Sequence, residues 1–153
     1  MKIVIAAFNK KYSEQFFLLN KAWIEESWRL EDSDKKDLLN PDKIVENGGQ
    51  VFFALDNKSV IGTVAMIKSS DNRFELAKMT VQENFRGKGI ANMLMDECLK
   101  FAKQNNANEI FLISNDTLII ARNLYNKYGF NEIELDSQKY DRGNVKMSLK
   151  ITN

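Results

Sequence analysis

The sequence predicts a mixed α/β fold built on a largely antiparallel sheet, and three observations support this. Three apolar strand patterns follow one another in the middle of the chain, separated by turn residues and not by helices. Helical and strand patterns then alternate in the second half. Finally, 153 residues without repeats or a linker suit one domain. We therefore expect a single domain over 1–153, with about six or seven strands and about four helices in the order β-α-α-β-β-β-α-β-α-β-β.

The first half of the chain predicts one strand, two helices and the three-stranded meander. A helix over 13–29 has apolar residues at helical spacing, with Asn20 as a polar interruption. Pro41 suits the first turn of a second, short helix, which Gly48 and Gly49 end. The predicted strands cover residues 1–8, 51–55, 60–68 and 74–81.

The second half predicts two crossover helices and a final antiparallel pair. Residues 89–104 place their apolar side chains on one stripe. A second helix over 118–128 has Asn115, Asp116 and Thr117 as candidate N-terminal caps and Gly129 as its C-terminal glycine. The predicted strands are 110–113, 130–135 and 145–151, the last two joined by a polar loop.

Composition excludes several classes of function. The net charge is +1, from 22 basic and 21 acidic residues, so we expect no nucleic-acid partner. The absence of histidine removes Ser-His and Cys-His nucleophile pairs and histidine-based zinc sites, and we expect no metal. Cys98 is the one cysteine and falls on an apolar helix stripe, which indicates core packing and a reducing compartment. With no targeting or membrane segment evident, we expect a cytoplasmic protein without a membrane partner.

Residues 81–91 predict a phosphate site, because an apolar strand leads through a glycine-rich turn into a helix. The first turn of a helix has free backbone N–H groups with partial positive charge, and glycine lets an anion approach them. Arg86 and Lys88 add full charges. A Walker loop would need Ser or Thr directly after Gly-Lys, where this chain continues with Gly89 and Ile90, and a dinucleotide fingerprint would need glycine at Asn92. Neither pattern is met.

The same residues resemble the GNAT superfamily of acetyl-CoA-dependent N-acetyltransferases. Residues 86–91, Arg-Gly-Lys-Gly-Ile-Ala, are similar to that family's Arg/Gln-x-x-Gly-x-Gly/Ala signature. The strand over 75–81 resembles the strand that precedes the signature, and residues 121–130 resemble the family's A-x-x-L-Y-x-x-x-G-F segment. The resemblance covers nearly the whole chain, except that 10–50 carries little family character.

The resemblance implies where acetyl-CoA binds. Its pyrophosphate is expected on the backbone N–H groups of residues 86–91, and its pantetheine arm along residues 79–81. The neighbouring strand 110–114 is expected to splay away, with Asn115 at its end bonding the arm. The implied cofactor-binding residues are Met79, Thr80, Val81, Arg86, Gly87, Lys88, Gly89, Ile90, Ala91 and Asn115. We expect Arg86 to contact phosphate more directly than Lys88.

The resemblance also implies two catalytic residues. Deprotonating an alkylammonium at pH 7 costs about 4.6 kcal/mol, so a base is needed. Glu75 stands where some family members carry a catalytic glutamate; otherwise it is a surface carboxylate or orients substrate. Tyr125 matches the tyrosine that protonates the leaving thiolate. A backbone N–H near Met79 to Val81 is expected to polarise the thioester carbonyl.

The acceptor is less well defined by the sequence. The segment after the first strand contains two tryptophans and several acids, which suit a cationic amine, although a packed helix and a charged loop explain them equally. These residues are Trp23, Trp28, Glu25, Glu26, Glu31, Asp32 and Asp34. A small-molecule amine, a protein lysine or N-terminal amine, and a non-catalytic acyl-CoA-binding role all stay open, as do monomer and homodimer.

Overall fold

A computed structural model describes residues 2–136, 139 and 141–152 of the chain. It contains a seven-stranded sheet in the order β1-β2-β3-β4-β5-β7-β6. The strands are β1 (Ile3–Ala7), β2 (Gln50–Asp56), β3 (Ser59–Ser70), β4 (Arg73–Val81), β5 (Glu109–Ser114), β6 (Asn131–Ile133) and β7 (Val145–Lys150). Only the β4–β5 pair is parallel. The predicted mixed fold with a mostly antiparallel sheet is confirmed.

Five α-helices accompany the sheet in the described residues. They are α1 (Ser13–Glu25), α2 (Asp32–Leu38), α3 (Pro41–Glu46), α4 (Ile90–Gln104) and α5 (Ile119–Lys127), with short 3-10 turns at Lys10–Tyr12 and Glu83–Phe85. None of them combines the length and hydrophobicity that crossing a bilayer requires.

The helices cover both faces of the sheet, and each face packs against them through its own apolar cluster. One cluster joins the buried stripe of α4, including Leu94 and Cys98, to strand residues such as Phe74 and Ile110, with α5 packing at its margin. The other joins Phe16 and Ile24 of α1, and α2 and α3, to the opposite face. Cys98 is fully buried, as predicted, and burial raises the pKa of its thiol.

Helix α2 was not predicted from the sequence. Its residues are mostly charged and show no apolar stripe, which is why the pattern did not indicate a helix. The backbone N–H of Glu31 donates to Asp34 Oδ2 at 3.0 Å, which stabilises the first turn. Leu38 is buried and anchors the other end. The chain thus has one more helix than expected.

Three predicted boundaries or caps were wrong. Helix α1 ends at Glu25 and not near residue 29. Leu118 precedes α5 without a side-chain cap, because the side chain of Asn115 accepts from Thr117 instead. Strand β6 pairs only over Asn131–Ile133. The polar loop predicted after it falls partly on residues 137, 138 and 140, which lie outside the described residues.

Gly49 lies where α3 turns into β2, and the turn has no room for a side chain. A Cβ atom there would overlap the carbonyl oxygen of Met66 and press on that of Ile44. We expect Gly49→Ala to lower the free energy of unfolding by about 1–3 kcal/mol, as overpacking does. Urea unfolding at pH 7 measures it. Gly62→Ala is the control, since a Cβ there meets looser contacts; equal stability of the two variants would contradict this account.

Candidate active site

A cleft opens between β4 and β5 because the two strands pair over only three residues. Their register runs from Arg73 opposite Glu109 to Glu75 opposite Phe111, while β4 continues to Val81. The predicted splaying of this strand pair is confirmed. At the end where the two strands are still paired, which is the closed end of the cleft, Arg73 Nε lies 2.8 Å from Glu109 Oε1. The Arg73 guanidinium also stacks 3.9 Å from the centroid of the Phe111 ring.

The cleft is part of a cavity of about 730 Å³ that extends from α1 across β4 to α5. Every predicted cofactor-binding residue except Lys88 lines it, as do Glu75 and Tyr125. The additional lining includes Asn20, Trp23 and Trp28 from the α1 side and Arg142 from the segment before β7. Segments far apart in the sequence therefore share one cavity.

The glycine-rich turn before α4 presents an open cluster of donors. Gly87 and Gly89 have φ values of +77° and +81°, and a Cβ atom at either position would meet nothing within 4 Å. The first backbone hydrogen bond of α4 runs from Met93 N to Gly89 O, at 3.2 Å. Within the described chain, the backbone N–H groups of residues 87–92 donate to no protein acceptor. An anion can satisfy them at the positive end of α4.

Arg86 and Lys88 lie at the same turn in different ways. Arg86 Nε donates to Val81 O at 2.9 Å and its Nη2 lies 3.5 Å from Glu26 Oε1, so Arg86 joins the turn to the strand end and to α1. Lys88 Nζ lies 5.6 Å from the Phe85 ring centroid. Both side chains are exposed, and Arg86 is the one that lines the cavity.

A bulge interrupts β4 in the middle of the cleft. The β3–β4 register shifts between Thr63, which faces Thr80, and Ala65, which faces Ala77. Lys78 occupies the bulge with a φ of +58°, which costs a non-glycine residue about 1–3 kcal/mol. The bulge turns Lys78 toward Asp34, where Nζ and Oδ1 lie 2.7 Å apart and both side chains are almost fully buried.

Asp34 is the centre of a buried ion network that sequence analysis did not find. Arg142 donates to both of its carboxylate oxygens, at 2.7 and 2.9 Å, and also reaches Glu31 Oε2 at 3.1 Å. Burial by itself would raise the pKa of Asp34, but the bonds from Arg142 and the charge of Lys78 outweigh it and hold that pKa far below its usual range. The partners are 44 and 108 residues away in the sequence, so no local pattern indicates them.

Glu75, the predicted base, is buried in the cavity wall but already has a partner. Its Oε1 lies 3.0 Å from Lys139 Nζ, and the same ammonium lies 3.1 Å from Asp37 Oδ2. The carboxylate is thus held in place by a cation from the segment before β7. Its role as base stays a prediction.

Tyr125, the predicted acid, is half-buried on α5 with its ring centroid 6.0 Å from that of Phe130. Its hydroxyl has no hydrogen-bond partner in the part of the chain that the structure describes. Burial raises the pKa of Tyr125 to about 12, so the hydroxyl keeps its proton at neutral pH. A protonated, unpartnered hydroxyl in the cavity wall can donate to a ligand.

Asn115 shapes the cavity through its side chain. Its Nδ2 donates to Arg142 O at 2.6 Å, and its Oδ1 accepts from Thr117 N at 2.9 Å. It therefore holds the segment before β7 against the end of β5. A bond from Asn115 to a cofactor stays a prediction.

The acids expected on the acceptor side lie outside the cavity lining, while the tryptophans line it and their role toward an acceptor stays a prediction. Trp23 and Trp28 line the cavity, with ring centroids 5.8 Å apart. The five acids do not line it, because they bind elsewhere or face solvent. Glu25 pairs with Lys21, Glu26 with Arg86, Glu31 and Asp34 with Arg142, and Asp32 is exposed in the first turn of α2.

Known proteins share this architecture. The model of the acetyltransferase (GNAT) family matches residues 9–130. A GNAT-family acetyltransferase from Staphylococcus aureus Mu50 superposes with a TM-score of 0.90 at 27% identity, covering 99% of this chain and 100% of that one. The PaiA N-acetyltransferase of Thermoplasma acidophilum, solved with coenzyme A, superposes with a TM-score of 0.81 at 18% identity, covering 99% and 100%, and shows a common fold.

Curated relatives match over shorter stretches. N-acetylaspartate synthetase of Danio rerio is 34% identical over 87 residues, which are 56% of this chain and 31% of the relative. Human N-acetyltransferase 8B is 27% identical over 125 residues, which are 76% of this chain and 53% of the relative. The chain thus spans between about a third and about half of the length of these relatives.

Asp34→Asn tests the energetic weight of the buried network. Removing one partner of a buried pair costs about 3–5 kcal/mol, so urea unfolding at pH 7 should show a loss of that size. Because the pKa of Asp34 is lowered on folding, its contribution is present above the unfolded-state pKa of about 3.9 and is lost as the pH falls below it. Unfolding measured from pH 7 to 3 should therefore show less acid sensitivity in the variant.

Asp32→Asn is the matched control for Asp34→Asn. Asp32 lies in the same first turn of α2 but is exposed, so its loss should change the free energy of unfolding by less than about 1 kcal/mol. Equal effects at the two positions would show that the network contributes no more than a surface carboxylate.

Proposed function

Because the chain belongs to the acetyltransferase (GNAT) family, we propose that it moves an acetyl group from acetyl-CoA directly to a primary amine of a small molecule. The observation that carries this proposal is the cleft between β4 and β5. It begins at unbonded N–H donors suited to a pyrophosphate, and an unpartnered tyrosine hydroxyl lines it. A cavity lined by both the glycine-rich turn and the unpaired part of β4 suits a phosphorylated thioester with an extended arm.

In the proposed binding mode, residues 87–92 hold the pyrophosphate with their backbone N–H groups. Glycine at 87 and 89 leaves open space there, since a Cβ would meet no protein atom. The edge of β4 beyond Glu75 has no strand partner on the β5 side, so its backbone is available to the pantetheine amides. Met79, Thr80 and Val81 belong to this free edge.

In the proposed chemistry, the amine nitrogen attacks the thioester carbonyl carbon. A C–N bond forms, the C–S bond breaks, and the amine gives up a proton. A backbone N–H of the free β4 edge stabilises the developing oxyanion. Tyr125 donates its hydroxyl proton to the leaving thiolate, which its raised pKa of about 12 permits because the hydroxyl is protonated beforehand. Glu75 receives the amine proton through water.

A small-molecule acceptor is favoured over a protein by the ties between α2 and the segment before β7. Asp141 N donates to Glu31 Oε1 at 2.8 Å, Arg142 binds Asp34, and Lys139 binds Asp37. These bonds hold the segment before β7 against α2, and we infer that they leave less room there for an extended peptide than for a small amine. The curated relatives named N-acetylaspartate synthetase make an amino-acid acceptor a second candidate.

Gly89→Glu tests the pyrophosphate site. A carboxylate at the N-terminus of α4 would occupy and repel the anion position, so acetyl-CoA affinity measured by titration calorimetry should fall below detection. Gly89→Ala is the control: it carries the same strain at a φ of +81° but adds only a methyl group to open space, and should retain most of the affinity. Wild-type affinity in Gly89→Glu would refute the site.

Tyr125→Phe tests the general acid. Loss of the hydroxyl should lower kcat by about 10²-fold or more, while the Kd for acetyl-CoA stays within about twofold. Tyr128→Phe is the matched control, because Tyr128 directly follows α5, donates its hydroxyl to Asp96 Oδ1 at 2.8 Å and lies outside the cavity lining. Thiol release from acetyl-CoA measures both. An unchanged kcat in Tyr125→Phe would remove this role.

A further inference from the structure

Two buried polar side chains face the cavity from its α1 side without a protein partner. Asn20, on α1, is 1% exposed; its Nδ2 donates to Phe16 O at 2.9 Å, and its Oδ1 accepts from no group in the described chain. Thr80, on β4, is 5% exposed, and its hydroxyl has no partner among the described residues. Both line the cavity.

Unmet hydrogen-bonding groups of this kind indicate a ligand. Because both residues line the cavity, a polar ligand that enters it can bond to their unpartnered oxygens. Asn20 Oδ1 is a pure acceptor and the Thr80 hydroxyl accepts as well as donates. A primary amine, which offers N–H donors, satisfies both groups.

The charged groups of the cavity wall are all engaged with opposite charges of the chain. Glu75 pairs with Lys139, Lys78 with Asp34, Arg142 with Asp34 and Glu31, and Arg86 with Glu26. An acceptor that carries an ionic group besides its amine would therefore place that charge beside cavity groups that are already paired. Burying a charge without a partner costs several kcal/mol, so such acceptors are disfavoured.

The remaining surface beside Asn20 is aromatic. Trp23 follows Asn20 on α1, and Trp28 follows the helix, with their ring centroids 5.8 Å apart at an interplanar angle of 48°. Both rings line the cavity. Two tilted rings of this kind offer aromatic faces against which the flat, apolar part of a ligand can pack.

We propose that the acceptor is a primary amine with an uncharged, apolar body, of the arylalkylamine class. Its nitrogen donates to Asn20 Oδ1 and Thr80 Oγ1, and its body packs on Trp23 and Trp28. The proposal rests on the proposed acetyl transfer and names its substrate class. Asn20 and Thr80 are positioning residues, and the two tryptophans determine specificity.

The first experiment compares acceptors by thiol release from acetyl-CoA with the full chain. The probes are 2-phenylethylamine, spermidine, L-aspartate and a lysine-containing peptide. We expect kcat/KM for 2-phenylethylamine to exceed each of the others by at least tenfold. A preference for spermidine, aspartate or the peptide overturns this inference and leaves acetyl transfer standing. Absence of transfer to every probe, with acetyl-CoA bound, overturns the proposed function as well.

The second experiment separates positioning from stability. Asn20→Leu should raise KM for 2-phenylethylamine at least tenfold, with KM for acetyl-CoA within about twofold. Gln15→Leu is the control, because Gln15 Oε1 on the same helix is also buried and unpartnered but does not line the cavity. Thr80→Val, which removes only the hydroxyl and keeps the backbone of β4, should also raise the amine KM at least tenfold and serves if Asn20→Leu does not fold. An unchanged amine KM in a folded variant, or an equal change in Gln15→Leu, overturns the inference.

Discussion

The short parallel pairing of β4 and β5 is the constraint on which the site depends. Parallel neighbours in a sheet ordinarily share hydrogen bonds along their length, but here they separate after Glu75 and Phe111. The Arg73–Glu109 ion pair and the stacking of Arg73 on Phe111 hold the closed end. Because the strands then diverge, β4 keeps a free backbone edge inside the molecule, where α4 and α5 can flank it. The proposed cofactor site, the proposed oxyanion donor and the proposed acid role of Tyr125 all depend on that edge.

The buried ion network gives the other side of the cavity its shape. Lys78 leaves the regular strand conformation to reach Asp34, and Arg142 reaches the same carboxylate from the segment before β7. Desolvating these charges is costly, and their mutual pairing offsets that cost. The network joins α2, β4 and the segment before β7, and it pairs the charges of Lys78 and Arg142 that line the cavity. The proposed recognition of an acceptor therefore depends on neutral polar and aromatic groups.

The sequence indicated most of the residues that line the proposed cofactor half of the cavity. The glycine-rich turn, the strand before it and the Tyr125 segment are contiguous patterns, and backbone geometry follows from local residue types. The acceptor half could not be predicted in the same way. Acids in the segment after the first strand suggested an amine site, yet Arg86, Arg142 and Lys78 neutralise several of them. Asn20 was visible only as a polar break in an apolar pattern.

The sequence alone determined the order of strands and meander, the helix α4 with its glycine-rich start, and the absence of histidine chemistry. Each of these depends on neighbouring residues or on composition. Tertiary structure alone decided that α2 forms, that β4 and β5 diverge, and which charges meet. Asp34 and its partners lie 44 and 108 residues apart, so their pairing depends on how the sheet brings distant segments together. A local sequence pattern does not indicate which distant residues will pair, because burial and charge compensation are properties of the folded chain.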